Sequence, residues 1–221
     1  KGEFVSIMGA SGSGKTTLLN VLSSIDKVSL GSIKIEGKEF TGLKEKELAE
    51  FRKTHLGFIF QEYNLLDTLT VKENVLLPLS IKNVSRKEAD HKFQEIATEL
   101  GIYDIKDKYP NEISGGQKQR AAVARALITS PKLVLADEPT AALGPQETAQ
   151  VGDLVKELKR QGIGIFLISH DIHDVFDLAD RVFVMKNGKV VGHARTQDVT
   201  KDEVLGMIIL GKVPAGAVPG P

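Results

Sequence analysis

The chain has 221 residues, 41% of them hydrophobic, which is enough for one substantial core. Its 29 lysines and arginines balance its 29 aspartates and glutamates, and this zero net charge argues against a nucleic-acid partner, which usually requires a basic excess. The absence of cysteine excludes a disulfide scaffold and a thiolate metal site.

No segment approaches the roughly 20 consecutive apolar residues that a membrane-spanning helix needs. The longest apolar runs, residues 75–81 and 121–128, are much shorter, and Arg125 interrupts the second. Residues 1–3 lead directly into a strand pattern, without the apolar region of a signal peptide. We therefore expect a soluble protein whose role at a membrane would depend on a partner.

Strand and helix patterns alternate in the first part of the chain. Residues 3–8 form an apolar, strand-like run that ends in a glycine-dense turn, and Lys15–Leu22 follows as a helix with its leucines on one face. Residues 32–35 and 56–60 indicate further strands, with a polar helix over residues 45–53 between them. Residues 62–130 differ: helices are predicted over residues 71–80 and 86–100, the second with apolar residues at helical spacing.

The alternation resumes after residue 130. Residues 133–136 and 163–168 are continuous apolar runs, typical of a sheet covered on both faces, with an amphipathic helix over residues 145–160 between them. Two strand patterns joined at Asn187 and Gly188 predict a hairpin. We expect an α/β core over residues 1–61 and 131–210, a helical subdomain over residues 62–130, and a flexible Pro/Gly/Ala-rich tail over residues 211–221.

Residues 9–16, Gly-Ala-Ser-Gly-Ser-Gly-Lys-Thr, match the phosphate-binding loop pattern between a strand and a helix. The glycines let consecutive backbone N–H groups face phosphate oxygens at the positive end of the helix. Lys15 supplies a charge for the β and γ phosphates, and the Thr16 hydroxyl is placed to ligate Mg2+. The predicted nucleotide contacts of this segment are Gly9, Ser11, Gly12, Ser13, Gly14, Lys15, Thr16 and Thr17.

Two carboxylates, Asp137 and Glu138, follow the apolar run at residues 133–136. At that end of a strand, Asp137 can bind Mg2+ directly or through water, and Glu138 can orient and deprotonate an attacking water. Acidic residues often end strands, so this pair indicates a site for Mg2+ and hydrolysis only together with the loop at residues 9–16.

Residues 113–117 read Ile-Ser-Gly-Gly-Gln, which by itself could be only a turn in which Ser114 caps a helix. Here the segment lies between the phosphate loop and the carboxylate strand and opens a helix over residues 117–127. That order of motifs, from residue 1 to about residue 210, resembles the ABC ATPase family. In that family the signature, here Ser114, Gly116 and Gln117, caps the γ-phosphate of ATP held by the opposite subunit.

The resemblance implies a phosphate-loop NTPase fold, with a mainly parallel sheet in an α/β core and an inserted helical subdomain. It implies ATP and Mg2+ as cofactors, ATP hydrolysis by a head-to-tail homodimer, and membrane-spanning transporter subunits as partners. Such a protein is cytoplasmic and peripheral to the inner membrane through its partner.

Two further positions match the family's pattern. Gln61 follows the strand predicted over residues 56–60, where the family has a glutamine that senses Mg2+ and contacts the membrane subunits. His170 lies two residues past the strand predicted over residues 163–168, where the family has a histidine that touches the γ-phosphate. The resemblance thus implies Glu138, His170 and Gln61 as catalytic residues, and Thr16, Gln61 and Asp137 as metal ligands.

The sequence departs from the family's pattern at two places. The family has two more strands before the position of Glu3, with an aromatic residue that stacks on adenine. Without that residue the base must be held by other contacts, such as those of Val or Leu, or poorly. We therefore expect affinity to come mainly from the phosphates and Mg2+, so that ATP and GTP bind within about tenfold of each other. Gly144 stands where the family most often has Asp and cannot supply that carboxylate's contacts across the dimer, although it can cap a helix beginning at Pro145.

Different parts of the chain resemble different members of this family. Residues 1–85, including residues 60–66, look like ATPases that export antimicrobial peptides or release lipoproteins. Residues 141–221, including residues 144–148, look like the ATPases of bacterial carbohydrate importers. These likenesses raise the hypothesis of a hybrid of two family members, with natural divergence as the alternative.

Three other functions are alternatives. An ABC ATPase of DNA repair or translation would need extra arms or a second cassette, and a nucleoside kinase would lack the element at residues 114–117. The third alternative is a truncated or hybrid domain that folds and binds nucleotide without efficient hydrolysis, given the missing strands and Gly144.

Overall fold

The computed structural model describes residues 2–35, 37–138, 152, 156 and 158–221. Within these ranges the strands with defined bounds are β1 Phe4–Met8, β2 Lys34–Ile35, β3 Lys38–Glu39, β4 Leu56–Ile59, β5 Leu133–Asp137, β6 Gly164–Ile168, β7 Arg181–Lys186, β8 Lys189–Arg195 and β9 Val218–Pro219. The α-helices with defined bounds there are α1 Lys15–Leu22, α2 Glu45–His55, α3 Val71–Ile81, α4 Arg86–Glu99, α5 Gly115–Leu127, α6 Ile172–Leu178 and α7 Lys201–Leu210.

A sheet of seven strands organises the core, in the order β4–β5–β6–β1–β7–β8–β9. The first five strands pair in parallel, and β8 and β9 add antiparallel pairs at one edge, which confirms the mainly parallel sheet. β1 therefore lies in the middle of the sheet, between two strands from the far end of the chain. Ile168 is the register partner of both Ile7 and Asp137, so β1, β5 and β6 end at the same edge of the sheet.

The parallel strands are apolar along their length because both faces of the sheet are covered. In β5, Val134 and Ala136 pack into one hydrophobic cluster that includes residues of α3, α4 and α5. Leu135 packs into a second cluster with Leu19 of α1 and Phe51 of α2. Side chains that alternate along one strand thus enter different halves of the core.

Three helices, α3 to α5, occupy the stretch between β4 and β5. α3 begins at a capping box of Thr70 and Glu73, and α5 begins at a capping box of Ser114 and Gln117. We propose that this stretch is the helical subdomain expected over residues 62–130. None of the helices in the described ranges has the length and apolar character needed to cross a membrane.

One buried side chain holds the loop that leads into α3. The Asn74 amide oxygen accepts from the Leu66 N–H at 2.7 Å, and its nitrogen donates to the carbonyl oxygens of Leu66, Leu69 and Thr70 at 3.0 Å each. Asn74 is fully buried, so these bonds replace all of its contacts with water.

Most predicted elements are present, with bounds that differ by a few residues. The hairpin is confirmed: Asn187 and Gly188 have φ values of 49° and 75° and join β7 to β8. Four of the strands and helices given above, β3, β9, α6 and α7, lie outside the predicted ones. Gly144 and most of the helix predicted over residues 145–160 lie outside the described residues.

The tail over residues 211–221 differs from the flexible segment expected from its composition. Val218–Pro219 forms β9 and pairs with β8, and the Gly220 N–H donates to the Val191 carbonyl oxygen at 2.9 Å. Pro219 is tolerated there because an edge strand needs no backbone donor on its outer side.

Candidate functional site

The turn after β1 is shaped by a close backbone approach at its first residue. A Cβ atom on Gly9 would lie 2.3 Å from the Met185 carbonyl oxygen and 2.7 Å from Ser13 Oγ, so any side chain here would clash. The Gly188 N–H donates to the Ser13 carbonyl oxygen at 3.1 Å. The loop is thus supported from behind by the β7–β8 hairpin.

The loop ends at the amino end of α1, which is suited to bind an anion. Its N-cap is Gly14 at φ 95°, and within α1, all of which is described, no side chain caps the helix and no acidic residue lies in the first turn. The first N–H groups of a helix lack intrahelical acceptors and carry the positive end of its dipole, so they favour a phosphate. Ser11, Gly12, Thr16 and Thr17 are exposed around this end.

The Lys15 side chain folds back over the loop. Its Nζ donates to the carbonyl oxygens of Gly9 at 2.9 Å and Ala10 at 3.0 Å. Phosphate oxygens are charged and therefore stronger acceptors than these carbonyls, so they can replace them. Lys15 thus lies over the loop for which the sequence predicts phosphate contacts.

Two carboxylates end β5 at the same edge of the sheet as the loop. Burial and the neighbouring charge of Glu138 raise the pKa of Asp137 above its usual value, and the charge of Lys15 opposes this rise. The ionised form of Asp137 is thus disfavoured in the free protein. A cation beside it would remove the disadvantage.

Glu138 contacts a histidine at the end of the next strand. Its Oε2 lies 3.0 Å from Nδ1 of His170, and the Glu138 side chain is 19% exposed whereas that of His170 is 66% exposed. Glu138 has a left-handed backbone at φ 45°, and its N–H donates to the Ile168 carbonyl oxygen at 2.8 Å. The acid is therefore half-enclosed and fixed, while the imidazole opens to solvent.

Gln61 is exposed and lies in the turn just past β4. Because Ile59 is the register partner of Ala136, this turn emerges at the same edge of the sheet as the β5 carboxylates. The structure therefore brings to one edge the loop of residues 9–16, Gln61, Asp137, Glu138 and His170.

The predicted signature residues cap their own helix. Ser114 Oγ accepts from the Gln117 N–H at 3.2 Å, and Gln117 Oε1 accepts from the Ser114 N–H at 2.9 Å. Ser114 is exposed and Gly116 is buried. In the part of the chain that is described, no hydrogen bond joins these residues to the loop of residues 9–16. Within one chain they are not brought into the site.

The contacts of Arg125 were not predicted from the sequence, in which this residue was noted only because it interrupts an apolar run. Its guanidinium donates to the carbonyl oxygens of Tyr63, at 2.7 Å, and Asn64, beside the turn that contains Gln61. Burial lowers the pKa of Arg125. The available signal was a single cation inside the apolar run of residues 121–128, because a charge that is withdrawn from water needs partners.

A cleft of about 360 Å³ opens beside the same turn, between α2, β4, α3 and α5. We call it the α2–α3 cleft. Its lining combines apolar side chains with three cations, among them Phe58, Phe60, Leu77, Arg52, Lys53 and Arg125.

The loop, the carboxylate pair and the mainly parallel sheet define a phosphate-loop nucleoside triphosphatase. A family model described as ABC transporter matches residues 1–141. The chain therefore belongs to the ABC transporter family, as an ATP-binding cassette with ATPase activity.

Known proteins resemble the chain over most of its length. It is 60% identical over 219 residues to the bacitracin export ATP-binding protein BceA of Halalkalibacterium halodurans, covering 96% of this chain and 86% of that protein. It is 42% identical over 200 residues to the methionine import ATP-binding protein MetN of Bordetella avium, covering 90% and 55%.

Solved structures share the fold. The ATP-binding cassette MJ0796, in a dimeric post-hydrolysis state bound to ADP and Pi, matches with a TM-score of 0.82 at 37% identity, covering 88% of this chain and 86% of that chain. CbiO1 of Clostridium perfringens, part of the ABC transporter complex cbiONQ, matches with a TM-score of 0.83 at 30% identity, covering 95% and 85%. These matches confirm the predicted phosphate-loop fold and support the ATPase rather than a chain that only binds nucleotide.

Proposed function

We propose that two copies of this chain close head-to-tail around two Mg-ATP complexes and that hydrolysis drives separate membrane subunits. The observation that carries the proposal is the common sheet edge, where the loop of residues 9–16 meets Gln61, Asp137, Glu138 and His170. These groups come from the ends of four strands, β1, β4, β5 and β6, or from the turns after them, as ligand sites in open parallel sheets do.

In this proposal the triphosphate binds at the amino end of α1. Backbone N–H groups of residues 9–14 surround it, and Lys15 exchanges its two carbonyl acceptors for β and γ phosphate oxygens. Within the described chain the buried Ser13 hydroxyl has no hydrogen-bond partner, so it is available to this loop's ligand. Ser11 and Thr17 lie exposed where they can add further hydrogen bonds.

The donors at this edge fit Mg2+. The Thr16 hydroxyl, the Gln61 amide oxygen and the Asp137 carboxylate are all oxygen donors, the type that Mg2+ prefers together with phosphate oxygens. Burial and the charge of Glu138 raise the pKa of Asp137, so a cation bound here would favour its ionised form, which agrees with this assignment. When bound, Mg2+ neutralises charge on the phosphates.

Hydrolysis then depends on Glu138 and His170. Glu138 accepts the proton of a water that attacks in line with the bond to the leaving phosphate, while His170 orients Glu138 and reaches the γ-phosphate. The fixed backbone of Glu138 and its 3.0 Å contact with His170 support this division of roles. The remaining catalytic effect comes from positioning.

A second copy completes each site. Ser114, Gly116 and Gln117 of one copy face the γ-phosphate held by the other, with the positive end of the α5 dipole directed at it. Two observations support this arrangement: these residues are not joined to the loop within one chain, and the similar cassette MJ0796 is dimeric.

We further propose that the membrane subunit docks in the α2–α3 cleft and holds the chain at the cytoplasmic side of the inner membrane. The cleft combines apolar lining with Arg52, Lys53 and Arg125, so it suits a protein segment with an apolar face and acidic groups. Phe60 lines the cleft and directly precedes Gln61, so a segment bound in the cleft can change the position of Gln61 at the metal site. The balanced net charge gives no basis for a nucleic-acid partner.

Export is the direction that the likenesses favour. The similarity to a bacitracin export protein covers 96% of the chain and agrees with the peptide-export likeness of residues 1–85.

The hybrid hypothesis concerns residues 141–221, and a comparison with the same bacitracin export protein tests it. Identity to that relative, measured separately before and after residue 140, falls sharply in a hybrid and stays level in a chain of single origin.

Glu138→Gln tests the proposed mechanism, because it keeps the shape of the side chain and removes the base. We expect ATP binding to persist, turnover to fall by about 100-fold or more, and light scattering to show a doubled mass with ATP. Glu95→Gln, on the exposed face of α4, is the control and should leave all three properties unchanged. A Glu138→Gln protein that hydrolyses ATP at the parent rate, or stays monomeric with ATP, contradicts the proposal.

A further inference from the structure

The turn that contains Gln61 has an unusual backbone. The Tyr63 N–H donates to the Phe60 carbonyl oxygen at 3.0 Å and closes the turn around Gln61. Tyr63 and Asn64 then follow with φ values of 63° and 48°, so two successive residues other than glycine are left-handed. This conformation is unfavourable for side chains such as tyrosine, so other contacts must stabilise it.

Arg125 supplies such contacts from α5. One terminal nitrogen donates to the Tyr63 carbonyl oxygen at 2.7 Å, and the other donates to the Asn64 carbonyl oxygen. In the described parts of the chain no carboxylate forms an ion pair with Arg125, so these carbonyls are the main partners of a partly buried charge. A planar guanidinium offers both acceptors two donors in a rigid fork, and a lysine ammonium has no such fork.

The Tyr63 side chain extends to the other end of the same helix. A Cβ atom on Gly115 would lie 3.4 Å from the Tyr63 hydroxyl, so the ring reaches the first turn of α5 beside Ser114. The Tyr63 backbone is thus held by Arg125, near the end of α5, while the Tyr63 hydroxyl lies at the start of the same helix. We propose that Arg125 is a positioning residue that fixes the Gln61 turn on α5, so that the metal side of the site and the signature residues move together.

This inference rests on the proposed role of Gln61 as a Mg2+ ligand, and hydrogen exchange tests it separately from that role. In nucleotide-free protein, Arg125→Met should make the backbone amides of residues 61–66 exchange about tenfold faster or more, because the fork to two carbonyls is lost. Arg125→Lys should give an intermediate rate. Arg86→Met, at a side chain that is 96% exposed, is the matched control and should leave this segment unchanged. Unchanged exchange in both Arg125 variants overturns the inference.

The second readout is the Mg2+ dependence of ATP hydrolysis. Arg125→Met should raise the half-saturating Mg2+ concentration by about tenfold, while ATP affinity in the absence of Mg2+ stays near that of the parent. Combined with Gln61→Ala, it should add little further change, because both substitutions remove the same ligand. Fully additive effects overturn the inference. If Gln61→Ala alone leaves the Mg2+ dependence unchanged, the proposed metal role of Gln61 is wrong, and the exchange rates still decide whether Arg125 holds the turn.

Discussion

The Glu138 carboxylate lies 3.0 Å from Nδ1 of His170, so the proposed base is held by a residue from the neighbouring strand end. We expect His170→Ala to lower kcat by about 100-fold, because Glu138 loses its orientation and the γ-phosphate loses a contact. ATP affinity should change little. His173→Ala is the control, since His173 lies in α6 and contacts Lys201 at 2.8 Å instead. Steady-state ATPase assays check this, and equal losses in both variants contradict it.

Lys15→Ala should weaken ATP binding by about tenfold to a hundredfold, because the phosphates lose a charge-assisted donor. The free protein should be stable, since Lys15 gives up only two hydrogen bonds to loop carbonyls. Titration with a fluorescent ATP analogue measures the affinity, with exposed Lys34→Ala as the control. Parent-like binding by Lys15→Ala would show that residues 9–16 are not the phosphate loop.

Gly9→Ala should lower the free energy of unfolding by about 1–3 kcal/mol, because its Cβ meets the Met185 carbonyl oxygen, which is backbone and must shift. Gly206→Ala in α7 is the matched control. A Cβ there meets nothing within 4 Å, so we expect a gain of about 0.5–1 kcal/mol. Denaturant unfolding distinguishes the two, and similar midpoints would show that the close approach at Gly9 is absent in solution.

Asp137→Asn should stabilise the nucleotide-free protein at neutral pH while abolishing Mg2+-dependent turnover. Because the pKa of Asp137 is raised by burial and by Glu138, ionising this group costs stability above its pKa in the folded protein. The cost disappears below the pKa of an unfolded Asp, where the carboxyl is protonated in both states. The gain in Tm should therefore be present at pH 7 and vanish in acid.

Asp104→Asn, at an exposed position, removes the same charge and serves as the control. A gain in Tm of equal size in the control, or a gain for Asp137→Asn that persists in acid, contradicts the explanation.

The sequence predicted local structure best at positions where a physical requirement is met by only one or two types of residue. Gly9 and Lys15 belong to a loop whose chemistry restricts its spacing, and α1 begins and ends where expected. Asn187 and Gly188 mark the hairpin because both must adopt positive φ.

Other features depend on tertiary contacts that no local pattern records. β9 exists because its backbone pairs with β8 at an open edge, although its composition suggests a flexible tail. The contacts of Arg125 with Tyr63 and Asn64 join segments that are 61 and 62 residues apart in sequence. A pattern read along one helix or one turn could not pair them.

The central position of β1 has a consequence for synthesis on the ribosome. β1 is made before the other strands of the described sheet, and all five of its residues are buried in the finished protein, yet both of its neighbours, β6 and β7, belong to the last third of this sequence. Until Gly164–Lys186 has been translated, this apolar segment has neither of its strand partners. The nascent chain must therefore carry this apolar, aggregation-prone segment without its strand partners until then, and a chaperone that binds apolar segments near the ribosome would have β1 as its target.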